Sequence, residues 1–112
     1  MSQMYYRVAD RLAITTSAAG YLQAVNMAGA NAVLTDLVVI NKGGSCTFTA
    51  QLQQSNDLEN WSNVGSPVTM TTTDLGYTTL GATSISGQHV RLVLTTSANT
   101  VIASAGISTA QL

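Results

Sequence analysis

Apolar and polar residues alternate with a period of two along much of this sequence, which is the pattern of β-strands with one buried face. The alternation is clearest over residues 45–55, where threonine and glutamine occupy every second position. Such a segment is typical of a half-buried antiparallel strand. Its inward face is predicted to consist of Cys46, Phe48, Ala50 and Leu52.

A second strand is predicted immediately before this one, over residues 32–41, which are rich in β-branched side chains. It is followed by Lys42, Gly43 and Gly44. Consecutive glycines supply the positive φ angles that a tight hairpin turn requires. The pattern therefore predicts that residues 32–41 and 45–55 pair as a β-hairpin.

Turn signals divide the rest of the chain into further short strands. Ser55, Asn56 and Asp57 mark one turn, because Asn and Asp side chains bond their own backbone. Residues 74–81 are turn-rich and are not predicted as a strand. The other predicted strands are 11–16, 21–25, 58–64, 68–73, 89–96 and 100–108.

The N-terminal residues have a less regular pattern. Residues 1–11 are predicted either as an arm or, over 4–12, as a short helix. Tyr5 and Tyr6 are candidates for contact with another subunit, with cover of this domain's own core as the equal alternative. The whole chain, residues 1–112, is predicted to be one all-β domain, an antiparallel β-sandwich that is jelly-roll-like.

Charge is scarce, since 8% of residues are charged and the formal net charge is −1. Repulsion between copies is then weak, which favours a surface that lies against other protein. The alternative is an extracellular domain with a low-charge surface. Nucleic acid is not expected as a partner, because phosphate binding needs clustered cations. No membrane span or signal peptide is predicted either. The basic residues are Arg7, Arg11, Lys42 and Arg91.

Few residues offer catalytic or metal-binding chemistry. His89 is the only histidine and lies on the predicted solvent face of its strand, and Cys46 is the only cysteine and faces inward. Asp57 and Glu59 match no calcium-loop spacing and are interpreted as a solvated turn. We therefore expect no enzyme activity, no metal site and no cofactor.

Residues 48–64, FTAQLQQSNDLENWSNV, resemble a strand-turn-strand segment of small β-sandwich proteins, with Ser-Asn-Asp at the turn and Asn-Trp after it. Discoidin-like modules and small bacteriophage virion proteins carry similar segments. The resemblance implies that Trp61 covers the end of the sandwich. Among these families the short chain with one cysteine is most similar to capsid decoration (cement) proteins.

That resemblance implies a homo-oligomer, dimer or trimer, which is made in the host cytoplasm, binds capsid protein on the outer virion surface and stabilises the lattice without a cofactor. A tail, baseplate or head-fibre position is an alternative. Another is a carbohydrate-binding module of a host-attachment structure, for which Trp61 and Tyr77 are the candidate stacking residues. Burial of both aromatic side chains in the core is the competing interpretation.

Overall fold

A computed structural model describes residues 3–15, 20–42, 47–65, 68–71, 76–98 and 100–111, with side chains except at 3–4, 41–42, 68–71 and 76–82. Within these ranges the chain consists of β-strands and their connections, and no helix is long and apolar enough to cross a membrane. The strands are β1 (Gln3–Ile14), β2 (Gly20–Tyr21), β3 (Val25–Asn26), β4 (Ala32–Lys42), β5 (Thr47–Ser55), β6 (Ser62–Asn63), β7 (Val68–Thr71), β8 (Gly76–Ser84), β9 (His89–Thr96) and β10 (Val101–Ala110).

The strands form two antiparallel sheets. One has the order β1-β10-β4-β8, and the other has the order β2-β9-β5-β6, with β3 also pairing with β9 and β7 with β5. If β2 with β3 and β6 with β7 are each counted as one interrupted strand, the first strand pairs with the last, the second with the second to last, and so on inward. This nested pairing is a long hairpin rolled into two layers, which is a jelly roll. The predicted fold class is confirmed.

The predicted hairpin between residues 32–41 and 45–55 is wrong. β4 pairs with β10 and β8, whereas β5 pairs with β9, β6 and β7, so the chain crosses from one sheet to the other between them. Gly43, Gly44 and Cys46 lie outside the described residues. Glycines permit an inter-layer crossing as readily as a tight turn, because they impose no particular φ. The sequence signal identified a connection but not its partner strands.

The inward faces of the central strands were predicted correctly. Phe48, Ala50 and Leu52 of β5 and Val90, Leu92 and Leu94 of β9 are buried in one core. The opposing sheet contributes Val33, Leu37 and Val39 from β4 and Val101, Ala103, Ala105 and Ile107 from β10. Because both sheets bury every second residue against each other, their outer faces are left as the two broad surfaces of the molecule.

From Gln3 onward, the N-terminal segment is an edge strand and neither an arm nor a helix. Residues of β1 pair with β10 from Gln3 to Ile14, with register shifts between Arg7 and Ala9 and between Ala9 and Leu12. Arg11 has a positive φ of 52° within the second shift, and its N–H donates to Ser104 Oγ at 2.9 Å. The bulges interrupt the period-two pattern that sequence analysis relies on. Residues 76–81, predicted to be turn-rich, lie in β8.

A tight turn joins β3 to β4. Ala30 N–H donates to Met27 O at 2.9 Å, and the two central residues, Ala28 and Gly29, have φ of 51° and 86°. Positive φ at both positions defines a type I′ turn, which prefers Asn-Gly. The Cβ of Ala28 is therefore unfavourable in this conformation.

Substitution of Ala28 by Asn is expected to stabilise the protein by up to about 1 kcal/mol, because Asn tolerates positive φ better than Ala. The melting temperature should rise by roughly 4 °C. Gly29→Ala provides the opposite control, since it adds a Cβ at positive φ and should lower the melting temperature. A decrease for Ala28→Asn would contradict the assigned turn.

Candidate functional site: two outer sheet faces

The outer face of the β2-β9-β5-β6 sheet is polar. We call it the polar face and define it by the outward side chains of these strands. Register places Gln53 opposite both Arg91 and Asn63, and Gln51 opposite Val93. The face consists of Tyr21, Thr49, Gln51, Gln53, Asn63, His89, Arg91, Val93 and Thr95, with Trp61 lying just before β6.

Arg91 is the centre of this face. Its Cζ lies 4.6 Å from the centroid of the Tyr21 ring and 4.2 Å from that of the Trp61 ring. Its Nε donates to Gln53 Oε1 at 2.9 Å, and Gln53 Nε2 donates in turn to Asn63 Oδ1 at 3.0 Å. Side chains from β2, β9, β5 and the start of β6 therefore hold the guanidinium in one position on the sheet.

The outer face of the β1-β10-β4-β8 sheet has the opposite character. We call it the apolar face and define it by Tyr5, Leu34, Val38, Ile40 and Ile102, with the charged residues Arg7 and Asp36 on the same face. Leu34 is 41% exposed and Ile40 44% exposed, and they alternate with buried residues along β4. Large apolar side chains on the outside of a two-layer sandwich are not needed for its own core, so they indicate a contact surface.

Tyr5 lies on the apolar face and Tyr6 does not. Tyr5 is 49% exposed, and its hydroxyl is 3.4 Å from Asp36 Oδ1. To reach Asp36 the ring crosses Gly106, where a Cβ would overlap the Tyr5 hydroxyl. Tyr6 is half-buried and packs against the core. Of the two candidate contact residues, Tyr5 is therefore the one on an exposed face, and Tyr6 contributes to the domain's own packing.

The loop between β5 and β6 is held by side-chain hydrogen bonds. Asp57 Oδ1 accepts from the N–H groups of Glu59 at 2.9 Å and Asn60 at 2.8 Å. Ser55 Oγ accepts from the N–H groups of Asp57 and Leu58. Asp57 thus closes the turn, as the sequence predicts. Asn56 Oδ1 instead accepts from Gln88 N–H at 3.1 Å and so ties this loop to the β8–β9 connection.

These hydrogen bonds hold the pKa of Asp57 well below its ordinary value, first through Asn60 N–H, then Glu59 N–H and the side chains of Asn60 and Ser55. A carboxyl with a depressed folded pKa stabilises the fold above its unfolded pKa, near 3.9, and loses that contribution as pH falls. Asp57→Asn should therefore lower the melting temperature more at pH 7 than at pH 2.5.

Glu59→Gln is the matched control for that pH series, because it removes the same charge from the same loop and leaves the Asp57 hydrogen bonds in place. Its melting temperature should track that of the wild type across the pH range. A difference between wild type and Asp57→Asn that stays constant from pH 7 to pH 2.5 would contradict the assigned role of the Asp57 carboxylate.

Clefts are also present on the described surface, and two of them adjoin the strands named above. One, of about 420 Å³, lies between the β3–β4 turn and the β8–β9 connection. The other, of about 400 Å³, lies where Tyr6 and Val8 of β1 face residues 23–26. Arg7 is the one charged residue among the lining residues of the two clefts. Among the described residues, no three His, Cys, Asp or Glu side chains come together to form a metal site.

The structure separates the two aromatic residues proposed from sequence as a stacking pair. Trp61 is half-buried beside Arg91 on the polar face and does not belong to the core. Tyr77 is in β8 of the other sheet, with Val38 as its register partner. The aromatic residue that shares a neighbour with Trp61 is Tyr21, which is 62% exposed. Sequence analysis missed Tyr21 and Arg91 because nothing local indicates that β2, β9, β5 and β6 lie in one sheet in that order.

The strand order and the two faces define a small jelly-roll β-sandwich with one polar and one apolar outer face. No model of a known protein family matches the sequence, and no curated protein matches it.

Proposed function

We propose that this chain is a structural virion protein of the capsid decoration type, which associates with further copies of itself and stabilises a capsid lattice from outside. A jelly roll hosts many functions, so the fold alone does not support this proposal. The observation that carries it is the apolar face, where Leu34 and Ile40 are exposed in a chain with very little charge.

The four-stranded sheet that carries the apolar face is large enough for a modest protein contact. Four strands about 4.8 Å apart and about nine residues long cover roughly 600 Å². Two such faces together would bury about 1,200 Å², which is the lower end of stable protein interfaces. One contact of this size gives limited affinity. On one particle, many such contacts between neighbouring copies would add through avidity and hold the copies to one another.

The charges on this face are complementary to those of a second copy. In register, Arg7 of β1 lies opposite Gly106 of β10, which lies opposite Asp36 of β4. One row therefore carries a positive and a negative residue on either side of a glycine. A two-fold axis parallel to the strands, passing over Gly106, would bring Arg7 of one copy toward Asp36 of the other. We therefore take the occupant of the apolar face to be a second copy of this chain.

Decoration itself is tested by mixing purified protein with expanded capsids assembled from the major capsid protein of the same genome. Bound copies are counted after sedimentation. We expect saturable binding at micromolar concentration, with capsids more resistant to heat when decorated. Lack of binding to capsids would contradict decoration, and binding to isolated tails or fibres in the same assay would support the tail, baseplate or head-fibre alternative.

A further inference from the structure

We propose that the polar face carries a binding site for a carboxylated sugar, such as a sialic or uronic acid residue of a glycan, centred on Arg91 with Tyr21 and Trp61. This site lies on the sheet that does not carry the apolar face. It does not depend on self-association or on capsid binding, so either proposal can fail while the other holds.

The first reason is that the Arg91 guanidinium is held in position while most of its hydrogen-bond donors remain unused by the described residues. Arginine has five N–H donors, and one of them, on Nε, is used by Gln53. Among the described residues, the other four have no acceptor within hydrogen-bond distance. These donors form the planar fork that matches a carboxylate with two parallel hydrogen bonds. Because Gln53 already fixes Nε, little side-chain entropy is lost when a ligand binds.

The second reason is that the charge of Arg91 is not neutralised within the described part of the chain. Its contacts there are an amide oxygen and two aromatic rings. Asp57, in the loop just before Trp61, directs its carboxylate to the backbone of Glu59 and Asn60. A half-buried guanidinium without a carboxylate partner favours an anionic ligand over a neutral one.

The third reason is the surface around the guanidinium. Tyr21 is 62% exposed although Arg91 lies over its ring, and Trp61 lies on the other side of the site. Flat aromatic rings pack against the apolar CH faces of a sugar ring, and tyrosine adds a hydroxyl. The Trp61 indole contributes only its ring, because its Nε1–H already donates to Leu58 O at 3.3 Å. Asn63 is exposed, and its Oδ1 accepts from Gln53, which leaves its N–H groups for a hydroxyl.

A sugar fits this site better than a peptide does. The site lies on the flat of a sheet, and a peptide that bound by strand addition would need a free sheet edge. Gln53, the register partner of Arg91, places an amide group against the guanidinium, and Arg91 itself contacts the Trp61 ring. Among these described residues, no apolar pocket therefore lies between Arg91 and Trp61 for an anchoring side chain to enter.

Trp61 makes the test direct, because it is the single tryptophan of the chain and lies in the proposed site. Tryptophan fluorescence is titrated with sialyllactose against lactose and with glucuronic acid against glucose. We expect a saturable change with the acidic member of each pair and at least tenfold weaker binding of its neutral counterpart. Equal responses to both members, or no response to either acid at millimolar concentration, would overturn the proposal.

Variants separate the parts of the site. Arg91→Gln should weaken binding of the acidic sugars at least tenfold, and Arg91→Lys, which keeps the charge but loses the fork, should weaken it less. Tyr21→Ala should weaken binding several-fold. Thr95→Ala, on the same strand and face, is the control and should bind like wild type. Melting curves establish whether each variant is folded. If Arg91→Gln does not fold, Arg91→Lys alone tests the role of the guanidinium.

Two competitors decide the ligand class. Sodium acetate at the same concentration should displace sialyllactose poorly, because it has no ring to contact Tyr21 and Trp61. Equal displacement would reduce the site to simple anion binding and overturn the proposal. A short peptide rich in glutamate that bound more tightly than either acidic sugar would also overturn it, in favour of an acidic protein partner.

Discussion

Replacement of Phe48 by alanine is expected to destabilise the fold by about 3–5 kcal/mol, because it leaves a cavity at the centre of the core. Phe48 is the only phenylalanine and is fully buried. It lies in β5 opposite Thr96 of β9 on one side and Met70 of β7 on the other. A domain of this size is stable by about 5–15 kcal/mol, so the variant would lose a large part of its stability.

The measurement is urea unfolding followed by Trp61 fluorescence. Thr49→Ala is the matched control, because Thr49 follows Phe48 in the same strand and faces outward. Its effect should stay below about 1 kcal/mol, as is usual for sites without tight packing. Similar losses for the two variants would contradict the assignment of Phe48 to the inner face of β5.

Substitution of Ile40 by glutamate is expected to weaken self-association of the chain, with a dimer dissociation constant at least a hundredfold higher than that of the wild type. Ile40 is 44% exposed on the apolar face, and its removal from solvent would be one of the favourable contributions to the contact. An unpaired carboxylate in the same place would have to be desolvated without compensation. Light scattering after size exclusion, at several protein concentrations, measures the oligomeric state.

Thr95→Glu is the control for that experiment, because it adds the same charge to the polar face and should leave the oligomer unchanged. A second test uses the charges of the apolar face. Arg7→Asp alone should weaken the contact, and combining it with Asp36→Arg should restore it if two copies meet through a two-fold axis. A wild-type chain that remains monomeric at about 100 μM would contradict the contact.

The buried face of each central strand could be predicted residue by residue from the sequence. Of the candidate site, only Trp61 could be predicted, and Tyr21 and Arg91 could not. The alternation around Phe48, Val90 and Val101 identified which residues are buried, and all three are fully buried. Trp61 was recognised as a candidate stacking residue, and the other candidate, Tyr77, lies in the other sheet. Tyr77 follows a segment with strong turn signals, and its strand β8 is recognised through its pairing with β4.

The sequence by itself determined the all-β class and the inward face of each central strand, since a period of two is a property of neighbouring residues. Which strands share a sheet was decided by the tertiary structure. A hairpin and a crossing between layers use the same glycine-rich connection, and they differ in the free energy of contacts made with distant strands. The same non-local pairing places Arg91 beside Tyr21 and Trp61. It also puts the apolar face and the polar face on opposite sides of the sandwich.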